Sequence, residues 1–287
     1  MKTRDVVRVV QAHRQLEGAG FVVRRPFPAP GLLQVDPFLL VDEMGPFDVA
    51  PGEATGAPDH PHRGFETVTY LLEGESGHED SAGNRGTLRK GDVQWMTAGD
   101  GVVHSEMPSE RLQREGGRMH GFQVWVNLPK KDKRVPPKYQ EIPAARLPKA
   151  TSSDGKAHVT VIAGEALGQR AVIATHTPIL YQDWSLEAGG RVEQPVPENF
   201  EGFAYVFQGD VQVGGRTVKD GQLAMLGPGE VVTLANTSSA PARLLLLAGV
   251  PLREPMVRYG PFVMNTPEEL EQAFLDYQAG KLGQIQR

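Results

Sequence analysis

The chain has 287 residues, of which 39% are apolar and 23% charged, and its formal net charge is -5. This length favours two domains of ordinary size, and the acidic balance argues against direct nucleic-acid binding. The absence of cysteine excludes disulfides, thiol catalysis and zinc-thiolate sites. No apolar run could span a bilayer, and the first residues lack the pattern of a signal peptide. We therefore expect a cytoplasmic protein that does not act at a membrane.

Short runs rich in Val, Thr and Leu alternate with many of the 33 glycines and 23 prolines, which predicts many strands joined by tight turns. In the first half the predicted strands are residues 6–10, 20–24, 38–43, 65–72, 85–88, 93–96, 102–106 and 121–129. In the second half they are residues 158–163, 171–176, 179–186, 202–207, 211–213, 222–226, 231–234 and 243–247. We expect an all-β protein with domains at residues 1–130 and 150–287, joined by an extended, Lys- and Pro-rich linker at 131–149.

The last residues have helical spacing instead. Thr266 is a capping residue, Pro267 occupies the first helical position, and Glu269 follows the cap by three residues. Four apolar residues between Leu270 and Tyr277 fall on one helical face. We expect a short C-terminal helix, ending near residue 280, that packs on one of the domains and has no catalytic role.

Four residues in the first half form two pairs with the spacing of metal ligands. His60 and His62 lie at i and i+2, and so do His104 and Glu106. In an extended strand this spacing places both side chains of a pair on one face. If the two strands meet inside a small barrel, three nitrogens and one oxygen converge on a point and leave a coordination position for substrate or water. The sequence therefore predicts a metal site at these four residues.

The two halves of the chain resemble each other. Similar patterns occur at residues 65–70, 90–92 and 98–103 in the first half and at 200–205, 220–222 and 228–232 in the second. At the positions that match the four candidate ligands, the second half has Pro195, Pro197, Leu234 and Asn236. A duplicated barrel in which only the first copy carries the ligands explains this pattern.

Other polar residues have simpler structural interpretations. We interpret residues His78–Asp80, close to a predicted hairpin tip, as exposed. His120 shares the parity of the apolar residues of its strand, so we interpret it as a satisfied core histidine, with an inward position near the metal as the alternative. Glu66 is interpreted as a partner of the ligands. The basic cluster Lys130–Arg134 is interpreted as a solvated linker face.

Together these motifs resemble the pirin family of the cupin superfamily. Residues 60–72 look like the pirin form of the first cupin motif, with its paired histidine, glutamate and distal glycine, and residues 91–106 are similar to the second motif. The spacer before His104 is longer than in cupins generally, as it is in pirins. Three more stretches resemble pirins outside the site, at residues 36–42, 122–129 and 259–266.

The resemblance implies two tandem cupin barrels, which are double-stranded β-helices of the jelly-roll type. It also implies one mononuclear metal, usually iron, in the N-terminal barrel. Pirins bind this metal through three histidines and a glutamate, which map onto His60, His62, His104 and Glu106. Fe(II) is the cofactor that the resemblance implies, although such a ligand set also accepts Mn, Co, Ni, Cu or Zn.

Two functions follow from the resemblance, because several pirins open the flavonol quercetin with dioxygen and release carbon monoxide, whereas others are iron-dependent regulators that bind proteins. Our first hypothesis is a quercetin 2,3-dioxygenase-type activity in which Glu106 takes the hydroxyl proton of a flavonol-like substrate. Candidate walls of an apolar pocket are Phe65, Val93, Trp95 and Phe122. The alternative is a regulator that acts on a protein partner without turnover. A zinc cupin that only binds or isomerises its ligand is a third hypothesis.

Overall fold

The computed structural model describes residues 1–287, and its secondary structure is mostly strand. The elements up to residue 142 are β1 (Val6–Gln11), β2 (His13–Glu17), β3 (Phe21–Phe27), β4 (Phe38–Val49), β5 (Ala57–His62), β6 (Phe65–Glu73), β7 (Glu75–Asp80), β8 (Arg85–Arg89), β9 (Val93–Thr97), β10 (Val102–Pro108), α1 (Glu110–Glu115), β11 (Gly117–Asn127) and β12 (Lys138–Ile142). The later elements are β13 (Lys149–Thr151), β14 (Ala157–Ala163), β15 (Glu165–Ala166), β16 (Gln169–Arg170), β17 (Ile179–Leu186), β18 (Arg191–Pro195), β19 (Glu201–Gln208), β20 (Asp210–Val213), β21 (Arg216–Lys219), β22 (Gln222–Leu226), β23 (Val231–Ala235), β24 (Ala242–Gly249), β25 (Val257–Tyr259), β26 (Phe262–Met264) and α2 (Pro267–Gln278). None of the helices has the length and apolar character needed to cross a membrane.

The first compact unit, here called the N-terminal barrel, contains residues 14–25, 38–145 and 253–287. It has a seven-stranded sheet of order β12-β9-β6-β11-β4-β3-β2 and a four-stranded sheet of order β5-β10-β7-β8. Strands β25 and β26 form a separate hairpin. Side chains with no exposed surface, among them Phe38, Val68, Val93, Trp95 and Phe122, form its interior.

The second unit, here called the C-terminal barrel, contains residues 1–13, 26–37 and 146–252. Its sheets have the orders β1-β22-β19-β24-β17-β14-β13 and β18-β23-β20-β21, with a small β15-β16 hairpin. A single apolar cluster that includes Trp184, Val206, Leu234, Leu244 and Leu246 fills it. The matching sheet orders of the two units confirm the predicted all-β fold of two cupin barrels with a short C-terminal helix.

The composition of the two units differs from the contiguous division expected from sequence. Strand β1 pairs antiparallel with β22 and so belongs to the C-terminal barrel, although it precedes all the residues of the other unit. Residues 253–287 belong to the N-terminal barrel. The alternating pattern of β1 indicates a strand but carries no information about its partner, because strand pairing is a tertiary property.

The structure has more strands than the sequence predicts, among them β2, β5, β7, β18 and β21. Residues 171–176, predicted as a strand, have none, and the predicted linker contains β12, which pairs with β9. The short helix α1, capped by Ser109, was not predicted. Lys133, expected on a solvated face, is only 2% exposed because its ammonium group donates hydrogen bonds to the Gly64 and Val263 carbonyl oxygens and to Asn127 Oδ1.

Helix α2 begins as the sequence predicts. The Thr266 hydroxyl accepts a hydrogen bond from the Glu269 amide at 3.2 Å, and a Glu269 carboxylate oxygen accepts from the Thr266 amide at 3.2 Å. This reciprocal capping box satisfies donors that have no partner inside the helix. The helix packs in the N-terminal barrel, where Ala273 joins a cluster with Val103, Phe262 and Leu282.

The core of the C-terminal barrel provides a test of the fold. Leu246 has no exposed surface, so Leu246→Ala leaves a cavity and is expected to lower the free energy of unfolding by about 3 kcal/mol. Leu33→Ala is the matched control, because Leu33 is 74% exposed and its loss is expected to change stability by less than about 0.5 kcal/mol. Equilibrium denaturation measures both, and equal losses would contradict the placement of Leu246 in the core.

Candidate metal centre

Strands β5 and β10 bring three of the four predicted ligands, the histidines, together. They pair antiparallel with His104 directly opposite His60, so the histidines of both strands share one face of the four-stranded sheet. His60, His62 and His104, here called the histidine cluster, place one ring nitrogen each within 4.8 Å of one another. This is the one group of three or more His, Cys, Asp or Glu side chains that the structure brings close enough together to hold a metal ion.

The geometry of the cluster is that of three imidazoles turned towards one point. Their ring centroids are 4.4 to 4.9 Å apart, and His60 Nε2 lies 3.1 Å from His62 Nε2. Adjacent nitrogen ligands on a metal with bonds near 2.1 Å are separated by about 3 to 3.4 Å. The Pro58 carbonyl oxygen, 2.7 Å from His60 Nδ1, can only accept, so Nδ1 carries the proton. His60 Nε2 therefore carries a lone pair, which can accept from His62 Nε2 or bind a cation.

Burial keeps His62 and His104 uncharged. His62 is 3% exposed and His104 is fully buried. Burial lowers the pKa of His62 well below its ordinary value, and the neighbouring His104 and His60 reinforce the shift. Burial also lowers the pKa of His104 to about 4, an effect that Glu106 opposes and His60 reinforces. Neutral imidazole is the form that binds metals, so these two rings are prepared as ligands at neutral pH.

Both ring nitrogens of His104 are buried and have no hydrogen-bond partner. A neutral imidazole has one donor and one acceptor, and leaving them unsatisfied in the interior is unfavourable. A metal ion bound at the cluster would satisfy the acceptor nitrogen. The residues present thus fit a metal with nitrogen ligands, on the chemistry of the donors and on the unsatisfied state of His104.

Glu106 lies beside the cluster, and its carboxylate is held by the opposite sheet. Thr69 Oγ1 on β6 donates a hydrogen bond to Oε1 at 3.0 Å, and Gln123 Nε2 on β11 donates to Oε2 at 2.8 Å. Burial raises the pKa of Glu106, but its electrostatic interactions with His104 and His60 and these two hydrogen bonds outweigh it, so the pKa lies below its ordinary value. Glu106 is therefore a carboxylate at neutral pH, oriented by two donors that the sequence alone did not reveal.

An aromatic wall flanks His62. The Trp125 and Phe65 ring centroids lie 5.2 and 5.1 Å from that of His62, and 4.4 Å from each other. The Arg258 guanidinium lies 4.7 Å from the centroid of the Trp125 ring, within cation-π distance. Phe65 was predicted as a wall residue and contacts the cluster. Val93, Trp95 and Phe122 have no exposed surface and form core.

The face of β11 that meets the cluster is the polar one. Gln123 and Trp125 point to the site, and Phe122 and Val124 lie on the opposite face, fully buried. Residues of β11 with the same parity as Phe122 and Val124 therefore point away from the metal site. His120, which follows that parity, lies with its Nε2 2.9 Å from Glu43 Oε1 and is a satisfied histidine, as interpreted from the sequence.

The interpretation of His78–Asp80 as exposed is wrong for two of these residues. Strand β7 pairs with β10 so that Asp80 lies opposite His104 and His78 opposite Glu106, and the exposure of His78 and Asp80 is only 4% and 2%. His78 Nε2 lies 2.6 Å from Glu141 Oε1. Strand alternation turns these side chains to the face that carries the cluster, and the turn between β7 and β8 spans residues 81–84.

Glu66 is fully buried and accepts a hydrogen bond from Thr97 Oγ1 at 2.7 Å. Its expected partnership with the ligands stays a prediction.

The equivalent sheet of the C-terminal barrel has different side chains on its buried face. There β18 and β23 pair with Val192 opposite Leu234 and Gln194 opposite Val232, and all four are buried. Leu234 thus faces inward, as the repeat predicts, whereas Pro195 is exposed and the inward positions on β18 belong to Val192 and Gln194. Asn236 is buried and donates hydrogen bonds to the Leu186 and Ala240 carbonyl oxygens.

Comparisons with known proteins agree with this arrangement. The Pirin family matches residues 20–126, and the Pirin C-terminal cupin domain matches residues 181–283. A pirin-like protein of Solanum lycopersicum is 47% identical, and the match covers 98% of this chain and 94% of that protein. Human pirin is 44% identical with the same coverage. A crystal structure of quercetin 2,3-dioxygenase from Acinetobacter baumannii has a TM-score of 0.93 at 38% identity, covering 99% of this chain and 100% of the other.

The fold and the site define a two-barrel cupin protein with a buried three-histidine site in one barrel. The matches along nearly the whole chain identify its family more closely. The chain belongs to the pirin family.

The pKa of His104 generates a prediction for the metal-free protein. The folded-state pKa of about 4 lies below the ordinary 6.5, so between these values the unfolded chain binds more protons and stability falls as the pH falls. From pH 7 to pH 5 we expect His104 to account for a loss of about 2 kcal/mol in the free energy of unfolding.

Urea denaturation of chelator-treated protein at the two pH values measures this loss. His104→Gln should reduce it, whereas His158→Gln, which removes a half-buried histidine of the C-terminal barrel, serves as the control. An unchanged pH dependence in His104→Gln would contradict the prediction.

Proposed function

We propose that the protein binds one divalent first-row metal ion, Fe(II) in the first place, through His60, His62, His104 and Glu106. We further propose that it opens quercetin-like flavonols with dioxygen and releases carbon monoxide. The observation that carries the proposal is the buried histidine cluster, with both nitrogens of His104 unsatisfied and a carboxylate beside it. The similarity to the 38% identical quercetin 2,3-dioxygenase from Acinetobacter baumannii supports this choice of reaction.

The metal is assigned by two separate arguments. Three imidazoles and one carboxylate suit several first-row ions, so the donor set alone selects a class of metal. Iron follows from the family resemblance. Elemental analysis of freshly purified protein distinguishes iron from zinc, and zinc would favour a binding or isomerase function.

When bound, the metal would supply the Lewis-acid and redox chemistry that brings an enediol and dioxygen together. The protein's own part is to orient and deprotonate the substrate. The lowered pKa of Glu106 keeps it ionised, and its two hydrogen-bond donors fix its position beside the histidines. In this role Glu106 takes the proton of the flavonol 3-hydroxyl, and the resulting substrate anion is the species to be oxidised.

The aromatic wall fits a flat aromatic substrate. The half-buried Trp125 flanks His62 and offers ring surface for stacking or edge contacts, and the fully buried Phe65 packs against Trp125 and His62. Arg258, over the Trp125 ring, adds a positive charge beside this wall. A planar ring system that becomes anionic is favoured in such surroundings, which matches a flavonol deprotonated at the 3-hydroxyl.

The activity is tested with Fe(II)-loaded protein, quercetin and oxygen. We expect loss of the flavonol absorbance together with release of carbon monoxide, each dependent on oxygen. Protein without metal, prepared by chelation, is the control. Absence of both signals in protein that contains stoichiometric iron would refute the dioxygenase proposal and favour the regulator hypothesis, which is then tested by capture of a partner in one iron oxidation state.

The ligand assignment is tested separately by substitution. In His60→Ala and His104→Ala we expect bound iron to fall from about one ion per chain to less than about a tenth, because each change removes a primary ligand. Circular dichroism should show the fold retained, since the C-terminal barrel folds with Val192 and Leu234 on the corresponding buried face. His158→Ala is the control. A ligand variant that keeps stoichiometric iron would contradict the assignment.

A further inference from the structure

The strands that carry the histidine cluster have a second face, and the end of the chain covers it. Side chains alternate along a strand, so the neighbours of inward-facing histidines point outward. Asp59 precedes His60, Arg63 follows His62 and Val103 precedes His104. All three of these outward neighbours contact the C-terminal segment, defined here as residues 261–287. These three residues and the C-terminal segment lie within the N-terminal barrel.

The strongest of these contacts is a buried ion pair. Arg63 Nη1 donates a hydrogen bond to Asp276 Oδ2 on α2 at 2.8 Å, and the two side chains are only 4% and 7% exposed. The other Asp276 oxygen accepts from Lys281 Nζ at 2.8 Å and from Gln272 Nε2 at 2.9 Å. Arg63 Nε donates to the Asp100 carbonyl oxygen at 2.6 Å. The guanidinium is thus held between α2 and the turn that leads into β10.

The backbone after His62 is held by the same segment. The Arg63 amide donates to the Pro261 carbonyl oxygen at 3.3 Å, and the Val263 amide donates to the Arg63 carbonyl oxygen at 3.1 Å. At Gly64 the chains approach so closely that a Cβ atom would lie 2.0 Å from the Val263 carbonyl oxygen, and its φ is +88°. Only glycine tolerates both conditions.

The last residues reach the other two histidine neighbours. Arg287 Nη2 lies 2.6 Å from Asp59 Oδ1, and Leu282 packs with Val103 in the same apolar cluster. Ser81 links the two regions, because its hydroxyl donates to the Leu282 carbonyl oxygen at 2.7 Å and accepts from the Val103 amide at 3.1 Å.

We propose that the C-terminal segment is a positioning element of the metal centre, in which Asp276 acts through Arg63 and Arg287 through Asp59 to fix the strand that presents His60 and His62. The segment supplies no ligand. Its contacts hold the outward side of each histidine strand, so that the three nitrogens are prearranged before a metal arrives. The inference rests on the metal-binding part of the proposed function and is independent of the reaction that the metal serves.

The physical basis is the loss of metal affinity that follows when the ligands are no longer held in position. Metal sites require donor positions within a fraction of an ångström, and groups that orient the ligands change affinity by about 10- to 100-fold when they are removed. Replacing Asp276 by Asn leaves the buried Arg63 guanidinium with only the partly exposed Asp100 carboxylate, 4.0 Å away, as a counter-charge. We expect the end of β5 to shift towards solvent in this variant and to move His62 with it.

The test uses the full-length protein and Co(II), whose visible absorption reports coordination geometry and whose affinity is measured by competition with a chelator. For Asp276→Asn we expect about tenfold weaker Co(II) binding and an altered spectrum. Asp276→Glu keeps the charge and is expected to recover most of the affinity.

Asp183→Asn is the matched control. Asp183 is also a buried aspartate, with Oδ2 2.6 Å from Arg243 Nη2, but it lies in the C-terminal barrel. Asp183→Asn should lower the melting temperature without changing the Co(II) affinity or the Co(II) spectrum. Equal losses of affinity in Asp183→Asn and Asp276→Asn would mean general destabilisation and would overturn the inference.

Arg287→Gln tests the positioning role of the C-terminal segment if Asp276→Asn does not fold. The Arg287 side chain is 57% exposed, so its loss leaves the core untouched, and a two- to threefold weaker affinity, roughly, is expected because an exposed pair contributes little. Wild-type affinity in this variant and in any folded Asp276→Asn protein overturns the inference. Wild-type protein that binds no metal overturns both proposals, whereas metal binding without flavonol oxidation overturns the dioxygenase alone.

Discussion

Three imidazoles share one buried space, and this constraint governs the surroundings of the site. Two of the rings lie in the interior with their pKa values lowered, so they cannot relieve their crowding by becoming charged and solvated. They can only be arranged to bind a common partner. The antiparallel pairing of β5 and β10 provides that arrangement, because His104 then lies directly opposite His60. The register of a single strand pair thus determines whether a site exists.

The carboxylate beside the histidines shows how the second sheet contributes. Glu106 comes from the four-stranded sheet, but the donors that fix it, Thr69 and Gln123, come from the seven-stranded sheet. A carboxylate with both oxygens already engaged has a defined orientation and a stabilised charge. In the C-terminal barrel the corresponding sheet is filled with Val192, Val232 and Leu234, which form an apolar core where the first barrel has a polar site. The same barrel scaffold therefore accommodates either a polar site or an apolar core.

Much of this arrangement could be predicted from the sequence, because it depends on local periodicity. The spacing of His60 with His62 indicated a shared face, the capping box at Thr266 marked the start of the last helix, and the repeat predicted Leu234 as an inward position. What could not be predicted depends on pairing over long distances. Local periodicity places His78 and Asp80 at an exposed turn because it does not show that β7 pairs with β10. It gives no sign of Gln123 and Trp125 either, because polar alternation is typical of a solvated face. Lys133 was misjudged for the same reason, since its carbonyl partners come from residues far along the chain.

The interleaved composition of the two units bears on the order in which they can be completed during synthesis. The N-terminal barrel includes residues 253–287, which leave the ribosome after every residue of the C-terminal barrel. The helix that covers the outward face of the histidine strands therefore appears after the whole C-terminal barrel. Domains usually fold in the order in which they are made. Here the barrel that holds the histidines is completed only after residues 146–252 of the other barrel, so a nascent chain carries these histidines through that synthesis before the surface behind them is closed.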